Sequence, residues 1–423
     1  MKKRIWIVIL TAAVFSIMIS GCGKGTNDIQ SGILSEKIHA EELTADAGMA
    51  VNLDYTKPSR EPLRQFSYEL LKNHLDESNP VLSPVSAYVA LCMLANGAQG
   101  QTKEELLHVL GDDVMCLPDD LMNNFPQDEK SLQLTMANSV WVDHDFIPEN
   151  EWLGTMKSLF DASVYRADLD TDTTKNDINL WVGRNTNQMI TNLLEKNLDS
   201  NTCLALLNAL YFKADWKNPF DAQNTNDSTF YLDDDSQKEV SMMHQMCYDC
   251  EYLEDENTRG IVFPYADSPY AFVAVLPEEG KTIREWYDCY SAEKLHTLLS
   301  GRKKKDLELG LVKFTAGCRQ NLNRSLMDMG VTRMFDPDQA ELSLAGRTKD
   351  GNQLFVSRVF QEAVIKVAEE GTEASAATMI DMSDGGAMIS EDVLIFDRPF
   401  FYMIMDMDQE TPVFMGIMDQ PEA

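Results

Sequence analysis

Residues 371–392 read GTEASAATMIDMSDGGAMISED, and this stretch carries the pattern that decides the fold. Alternate residues beginning at Thr372 are uncharged and become larger toward Met382, whereas the intervening residues are mostly polar. Period-two alternation of this kind is typical of a strand with one buried face. The tetrapeptide Ser-Asp-Gly-Gly follows at 383–386, and its residue types favour an exposed loop. Alternation alone therefore predicts an ordinary strand followed by a turn.

The rest of the chain has helical patterns mainly in its first half and strand patterns mainly in its second half. Apolar residues recur at helical spacing in residues 62–75, 85–98 and 174–190. Alternating or continuous apolar runs predict strands at residues 132–144, 204–216, 270–279, 307–318, 354–370 and 400–421. This order of elements favours an α+β fold over alternating α/β units.

The composition restricts the class of partner. The chain has 423 residues, 44% of them hydrophobic, which is enough for a large core in one domain or in two or three. Its formal net charge of −32 argues against nucleic acid or an anionic bilayer surface as the main partner. We therefore expect an acidic, soluble body that binds no nucleic acid.

The N-terminus has the pattern of an export signal. Basic residues at positions 2–4 precede an apolar run at 5–19 that is short for a permanent membrane span. Ile-Ser-Gly-Cys at 19–22 resembles a bacterial lipobox, which implies cleavage before Cys22 and lipidation of that cysteine at a bacterial cell surface. An ordinary signal peptide is the alternative. Residues 22–58 are polar and acidic and predict a flexible tether after a signal peptide at 1–21.

The remaining cysteines and the histidines predict neither a metal site nor an enzyme. Seven cysteines besides Cys22 cannot form a complete disulfide set, so we expect them to serve as small apolar residues. Cys247, Cys250 and His244 lie close in sequence, but a second ligand pair at metal spacing is missing. The chain has no P-loop, nucleophile elbow or HExxH motif, and its six histidines form no evident triad. We expect no cofactor.

Motifs along nearly the whole chain after the tether resemble those of the serpins. They are, in order, NPVLSPVSAYVALCMLANGAQGQTKEEL (79–106), NSVWV (138–142), LLNALYFKADWKNPF (206–220), VKFTAGC and LMDMGVTRMFDPDQAELS (within 312–343), EEGTEASAAT (369–378), and FDRPFFYMI with PVFMGIM (within 396–418). The resemblance implies one domain at 59–423, with three β-sheets, eight to nine helices and an exposed reactive loop at about 369–395. It also implies a monomer that inhibits serine proteases, with cysteine proteases as a further class.

The resemblance gives the opening stretch a second interpretation. It implies that this segment is exposed first and becomes a strand only after a protease has cut it. The hinge at the start of the loop then comprises Glu369, Gly371, Thr372, Glu373, Ala374, Ser375, Ala376, Ala377 and Thr378. On this interpretation Gly371 supplies backbone freedom, and Thr372 is the first residue to be buried.

Further positions gain roles only through the resemblance. Glu369 and Lys313 match an ion pair that braces the top of the sheet, and Trp216 matches a tryptophan beneath it. Four residues match the shutter, where strands slide apart: Ser83, Pro84, Ser86 and Asn208. Many serpins have histidine on the adjoining strand, but the matching position here is Gln361, whose amide can still donate and accept hydrogen bonds.

The bond that the protease cuts is less well defined. Counting forward from Glu369 with the usual family spacing leads to Gly385, whereas counting back from Arg398 leads to Met388. We favour Met388–Ile389, because glycine offers no side chain to a specificity pocket, and keep Gly385, Ala387 and Met382 as alternatives. No Arg or Lys lies between residues 371 and 397, so the loop favours elastase- or chymotrypsin-like proteases.

Two other classes of protein remain open from the sequence. A non-inhibitory serpin often has bulky, charged or proline residues in its hinge, whereas the alternate hinge residues from Thr372 to Thr378 are all small and uncharged. A solute-binding lipoprotein would share the lipobox, the tether and the acidic body. That class requires two α/β lobes around a cleft, which the strand-rich second half argues against.

Overall fold

The fold is described from a computed structural model, which covers residues 37–46, 53, 57–124, 131–200, 202–351, 354–372 and 392–421. Within these ranges the chain forms nine α-helices, α1 to α9: Glu61–Lys72, Pro84–Ala95, Gly100–Leu110, Cys116–Asn124, Asn150–Phe160, Asp172–Asn185, Ile283–Cys289, Ala292–Ser300 and Asn323–Asp328. No helix in the described part of the chain is long and apolar enough to cross a membrane.

The same ranges contain eighteen strands. Strands β1 to β9 are Glu41–Leu43, Val81–Leu82, Leu132–Asp143, Phe146–Pro148, Ser163–Ala167, Leu204–Asp215, Thr225–Tyr231, Gln237–Asp255 and Thr258–Pro264. Strands β10 to β18 are Tyr270–Pro277, Lys303–Val312, Phe314–Asn321, Gly346–Thr348, Phe360–Val367, Gly371–Thr372, Val393–Ile395, Phe400–Asp406 and Thr411–Met418. They form three sheets, so the predicted α+β fold with three sheets and eight to nine helices is confirmed.

The seven-stranded sheet has the order β1-β5-β3-β6-β15-β14-β12. Strand β15 is only Gly371–Thr372, and it lies between β6 and β14 at one end of these strands. At the other end, Leu206 of β6 forms a parallel bridge with Val359, just before β14. Strands β6 and β14 are therefore linked at both ends. The short strand β15 lies between them at the end that contains Ala214.

The nine-stranded sheet has the order β16-β11-β8-β9-β10-β17-β18-β2, with β7 paired to β8. Its strands β10, β17 and β18 are buried along their whole length. Helix α2 is also buried on every side, consistent with its apolar sequence, and it contacts both β18 and β6. A two-stranded sheet pairs β13 with β4. Two lobes around a cleft, as a solute-binding lipoprotein requires, are not what the described residues form.

The predicted tether differs from the structure at one point. Residues from Ile38 onward form one compact unit, and β1 within the tether pairs with β5 at the edge of the seven-stranded sheet. The buried carboxylate of Asp177 on helix α6 accepts hydrogen bonds from the backbone amides of His39 and Ala40, at 2.8 and 2.9 Å. An acidic, polar sequence gave no sign of this strand, because edge pairing uses the backbone.

Candidate functional site

The head of the quoted stretch is already part of a sheet in the uncut chain. Gly371 pairs with Asp215 and Thr372 with Ala214, while Thr372 also pairs with Val367 on β14. Thr372 is 2% exposed, and its hydroxyl lies 2.5 Å from the hydroxyl of Tyr265. The expectation that the whole tract is exposed before cleavage is therefore wrong for Gly371 and Thr372, because the sheet already supplies their backbone partners.

Gly371 is required at its position by close packing. A Cβ atom there would overlap the carbonyl oxygen of Ala214 and lie 2.8 Å from the Cα of Asp215. These are backbone atoms of β6 that cannot move aside independently. The glycine therefore permits its own backbone to lie close to that of β6. The role expected of it from the sequence was instead conformational freedom at a hinge.

Trp216 lies beneath this entry point, where the resemblance placed it. Its indole N–H donates to the carbonyl oxygen of Ala368 at 2.8 Å, and its ring stacks on Tyr265 with centroids 4.6 Å apart. Burial raises the pKa of Tyr265, while its hydrogen bond with Thr372 acts in the opposite direction. Tyr265 therefore stays a neutral hydroxyl that can bond Thr372.

Glu369 and Lys313 are in contact above Trp216. The ammonium nitrogen of Lys313 lies 2.8 Å from Oε2 of Glu369, and the hydroxyl of Thr225 donates to Oε1 at 3.0 Å. Burial alone would raise the pKa of Glu369, but hydrogen bonds from Lys313, the backbone and Thr225 outweigh it and lower the pKa. The carboxylate is thus held ionised at the start of the hinge.

The shutter residues form a buried polar layer between helix α2 and the seven-stranded sheet. The amide side chain of Gln361 accepts from the backbone N–H of Ser83 at 2.9 Å and donates to its carbonyl at 2.7 Å. The hydroxyl of Ser86 donates to the side-chain oxygen of Asn208. Pro84 is the first residue of helix α2, a position at which a backbone N–H would have no partner within the helix, so its absence costs no hydrogen bond. At its position, where many serpins have a histidine, Gln361 makes two hydrogen bonds to the backbone of Ser83.

Asn138 is a member of this layer that the sequence interpretation missed. Asn208 donates to Asn138 at 2.6 Å, and Asn138 donates to the carbonyl oxygen of Phe160 at the end of helix α5 at 2.8 Å. The network therefore spans β3, β6 and two helices. Asn138 does lie in the NSVWV motif, but no residue-level role was attached to it.

A second buried network lies next to the shutter. The ring of His74 contacts the hydroxyl of Ser325 at 2.9 Å and the carboxylate of Glu77 at 3.0 Å. Glu77 also contacts Gln320, which pairs with Gln361 across the sheet. No triad was evident from the sequence, yet the side chains of a serine, a histidine and a glutamate meet here. His74 and Ser325 are only 3% and 4% exposed, so the arrangement serves packing and leaves no path for a substrate.

The described chain ends its contact with the seven-stranded sheet at Thr372 and is next described at Asp392, beside the nine-stranded sheet. Asp392 forms an ion pair with Lys305 at 3.0 Å, and β16 pairs in parallel with β11. Several predicted site residues lie outside the described part of the chain, namely the lipidation site Cys22, the hinge residues 373–378, and Met382, Gly385, Ala387, Met388 and Ile389.

The cysteines differ from the expectation in one place. Cys247 and Cys250 are joined by a disulfide, with their Cα atoms 5.8 Å apart, instead of serving as separate apolar side chains. Cys92 does serve that purpose, and burial raises the pKa of its thiol. Within the described ranges, no group of three or more His, Cys, Asp or Glu side chains is placed to hold a metal ion.

The fold and this site define a protein whose seven-stranded sheet contains the first two residues of the quoted stretch, paired between β6 and β14. A family model described as Serpin (serine protease inhibitor) matches residues 61–421. The chain therefore belongs to the serpin family, which is described as a family of serine protease inhibitors.

Known proteins match over most of their lengths. Human neuroserpin is 29% identical over 391 residues, which cover 89% of this chain and 94% of neuroserpin. The native state of Tengpin, a thermophilic serpin, aligns with a TM-score of 0.81 and 31% identity, covering 89% of this chain and all of that structure's chain (100%). Thyroxine-binding globulin in complex with thyroxine aligns with a TM-score of 0.76 and 25% identity, covering 86% and 99%.

Proposed function

We propose that this protein inhibits serine proteases by inserting its cut reactive loop into the seven-stranded sheet. Membership of the serpin family supports protease inhibition in general. The observation that carries the specific mechanism is β15, because its register shows where the following residues would go. It pairs antiparallel with both β6 and β14, so each further residue of the loop would face one residue of each strand.

The pairing of β15 with β6 and its pairing with β14, when each is continued along the strand, lead to the same end of the sheet. Counted along β6 from the pair Thr372–Ala214, residue 380 would face Leu206; counted along β14 from the pair Thr372–Val367, it would face Val359. Leu206 and Val359 are the two residues bridged at the far end. Residue 382 would face Leu204, where β6 begins. The alternating stretch Thr372–Met382 is therefore as long as the gap that it would fill.

The side chains of the stretch also match their prospective neighbours. Thr372 faces the main core beside Ala214, so alternate residues up to Met382 would face the same side. Most of these residues are apolar, and so are their partners on β6 in the main core. The polar Thr378 would lie between Asn208 and Gln361, which are the polar shutter residues of β6 and β14. The one polar inward position in the middle of the stretch would thus meet the polar layer.

The chemistry follows from insertion. A protease attacks the loop as a substrate and forms an acyl bond to the residue before the cut. The freed N-terminal half then gains ladder hydrogen bonds and buries its inward side chains, which draws the attached protease along the sheet. Distortion that removes one oxyanion donor slows acyl chemistry by roughly 10²–10³. Deacylation therefore stalls, provided that insertion is faster than hydrolysis.

The target class follows from the loop sequence. We propose Met388–Ile389 as the cut bond and elastase- or chymotrypsin-like serine proteases as targets, because Met fits an apolar specificity pocket. The absence of Arg and Lys between residues 371 and 397 argues against trypsin-like targets. Cysteine proteases form a further candidate class, since they also proceed through an acyl-enzyme.

The location follows from the N-terminal motif. We propose that the chain is exported by a bacterium, cleaved before Cys22 and held at the cell surface by lipid chains on that cysteine, with the inhibitory body outside as a monomer. Two or three acyl chains hold a protein on a membrane far more firmly than one. Globomycin treatment of the expressing cell, followed by mass measurement of the N-terminal peptide, tests this proposal.

The direct test of inhibition mixes the protein with pancreatic elastase, chymotrypsin and trypsin. We expect a covalent adduct that survives SDS with the first two enzymes and none with trypsin. Mass spectrometry of the released C-terminal peptide locates the cut, and a peptide that does not start at Ile389 refutes Met388. Rapid cleavage without any adduct, for every protease tested, would contradict the proposed function.

A non-inhibitory serpin is the second candidate, because the structure of thyroxine-binding globulin with thyroxine is similar to this one. A carrier of a small ligand needs no loop insertion to act. The two candidates are separated by the same gel, since only an inhibitor forms the adduct.

A further inference from the structure

The disulfide between Cys247 and Cys250 lies in an irregular part of the nine-stranded sheet. Cys247 of β8 faces Leu307 of β11 and Cys250 faces Lys305, so three steps along β8 oppose two steps along β11. The extra residue forms a bulge in which Asp249 has a φ of 52°. The backbone N–H of Asp249 donates to the carboxylate of Asp306 on the facing strand at 2.8 Å.

The bulge and the disulfide depend on each other. Residues three apart in a regular strand have Cα atoms about 10 Å apart, which is too far for a disulfide. The observed distance of 5.8 Å lies within the usual range for disulfides, and the bulge is what brings the two Cα atoms together. Breaking the S–S bond therefore removes the covalent constraint that holds the bulge and the register beyond it.

The register of β8 beyond the bulge places Tyr252 beside Lys305 of β11. The ammonium nitrogen of Lys305 lies 4.7 Å from the centre of the Tyr252 ring on β8 and 3.0 Å from the carboxylate of Asp392. Asp392 directly precedes β16, and its carbonyl oxygen accepts from the backbone N–H of Glu308 at 2.9 Å. Because a one-residue slip in register moves every side chain of the slipped strand to its opposite face, loss of the bulge in β8 would move Tyr252 away from Lys305. Lys305 would then lose the ring that holds its ammonium group beside Asp392.

We propose that Cys247–Cys250 is a reversible dithiol–disulfide site whose oxidation state controls how firmly β16 is held on β11. Cys250 is partly exposed and Cys247 is buried, so the accessible sulfur is that of Cys250. The co-reactant is a dithiol, either a small molecule or a protein with two neighbouring cysteines.

The exchange is balanced in atoms and electrons. A thiolate of the dithiol attacks Sγ of Cys250, forms a mixed disulfide and releases the Cys247 thiolate, which takes up a proton. The second thiol of the reagent then attacks the mixed disulfide, releases Cys250 as a thiol and closes its own disulfide. Two electrons and two protons pass to the protein, and oxidation by a disulfide reagent reverses both steps.

The consequence for the reactive loop rests on the proposed function. Asp392 and β16 hold the C-terminal end of the segment that we assign to protease cleavage. The oxidised form would hold that end firmly, and the reduced form would release it more often. A reducing habitat would thus change how the loop is presented to a protease.

The first measurement titrates the folded protein in mixtures of reduced and oxidised dithiothreitol, followed by alkylation and mass spectrometry. We expect Cys247 and Cys250 to become alkylated together in a single two-electron transition, while the buried Cys92 remains unmodified. Complete alkylation of both cysteines in the oxidising mixture would show that the disulfide does not form, and would overturn the proposal.

The second measurement is amide hydrogen exchange of residues 393–396 without any protease, so its outcome is independent of whether the protein is an inhibitor. We expect exchange to be about threefold to fivefold faster in the reduced state, the size that corresponds to loss of one exposed ion pair. Lys305→Gln should show the faster exchange already when oxidised and should respond no further to reduction. Equal exchange rates in the oxidised and reduced wild-type protein would contradict the proposal.

Two variants serve as controls. Cys289→Ser removes an exposed free cysteine elsewhere and should respond to reduction as the wild type does. The double variant Cys247→Ser, Cys250→Ser should exchange at the reduced rate in either buffer. The wild-type comparison of the two redox states decides the question even where the double variant fails to fold.

Discussion

At the scale of single residues, Thr372 is the side chain on which loop insertion depends most directly. It is buried between β6 and β14 and its hydroxyl bonds that of Tyr265, so a charged side chain at this position would be removed from solvent. An unpaired charge buried there would cost several kcal/mol. The hinge of a charged variant would therefore leave the sheet and enter slowly after cleavage.

We predict that Thr372→Arg turns the inhibitor into a substrate. Titration against chymotrypsin measures how many inhibitor molecules are consumed for each protease molecule trapped, and this number should rise at least tenfold, which corresponds to about 1.4 kcal/mol on the competition between insertion and hydrolysis. Thr372→Ser keeps the hydroxyl and serves as the matched control, with a value close to that of the wild type. An unchanged stoichiometry for the arginine variant would exclude this role of Thr372.

Glu369 provides a prediction for pH. Its pKa is lowered in the folded protein, so its stabilising contribution is complete above the unfolded-state pKa of about 4.3 and is lost as the pH falls through the lower folded-state pKa. Thermal midpoints measured between about pH 6 and pH 3 should fall more steeply for the wild type than for Glu369→Gln. Parallel curves for the two proteins would show that the ion pair with Lys313 contributes no pH-dependent stability.

The residues that sequence reasoning found and missed differ in a physical way. Glu369, Lys313 and Trp216 lie in motifs whose order is recognisable, so their contact could be expected from resemblance. Tyr265 lies outside the motifs quoted above, and Asn138 lies in one of them without a role being assigned to it. The roles of both residues arise where strands distant in sequence are brought together. Tyr265 lies beside Thr372 only because β6 carries Trp216 and Ala214 to the same corner of the sheet.

At the scale of elements, the strand-like alternation of residues 372–382 predicts which side of the inserted segment would meet the shutter. Thr378 would lie between Asn208 and Gln361 in the cut protein. Its hydroxyl could then join the polar layer that already links helix α2 to β6 and β14. The layer would thus contribute to the stability of the cut form through a residue that the loop supplies.

We predict that Thr378→Val destabilises the cut protein by about 1 kcal/mol, the usual value of one hydrogen bond, and leaves the uncut protein unchanged. Denaturant unfolding of both forms measures the difference. Ala377→Ser changes a neighbouring residue on the opposite face and should affect neither form. An equal loss of stability in the cut and uncut forms of Thr378→Val would argue against the register that we derive from β15.

Patterns along the sequence predicted which segments form helices and strands better than they predicted where these elements end or with which strands they pair. The helix predicted at residues 174–190 ends at Asn185, because Asn187 and Gln188 adopt positive φ angles that a helix cannot continue through. Strand β1 was missed because it has only three residues and uses an edge. The disulfide was missed because residues three apart cannot be bridged in a regular strand, and a bulge has no clear sequence signal.

At the scale of the whole molecule, the proposed function requires that the uncut chain has a segment that becomes a strand only after cleavage. Gly371 and Thr372 are already paired in the sheet, and further insertion would separate β6 from β14, which are bridged at Leu206 and Val359. The uncut protein would then persist because it is kinetically trapped, and not because it has the lowest free energy. On the proposed function, cleavage would separate the N-terminal half of the loop from β16, and that half could then enter the sheet without displacing β16.

The most direct test of this metastability is the thermal midpoint of the protein before and after a single cut near residue 388 by a catalytic amount of chymotrypsin. Completion of the sheet should raise the midpoint of the nicked protein well above that of the uncut protein. A nicked protein that unfolds at the same temperature as the uncut one, or below it, would contradict loop insertion.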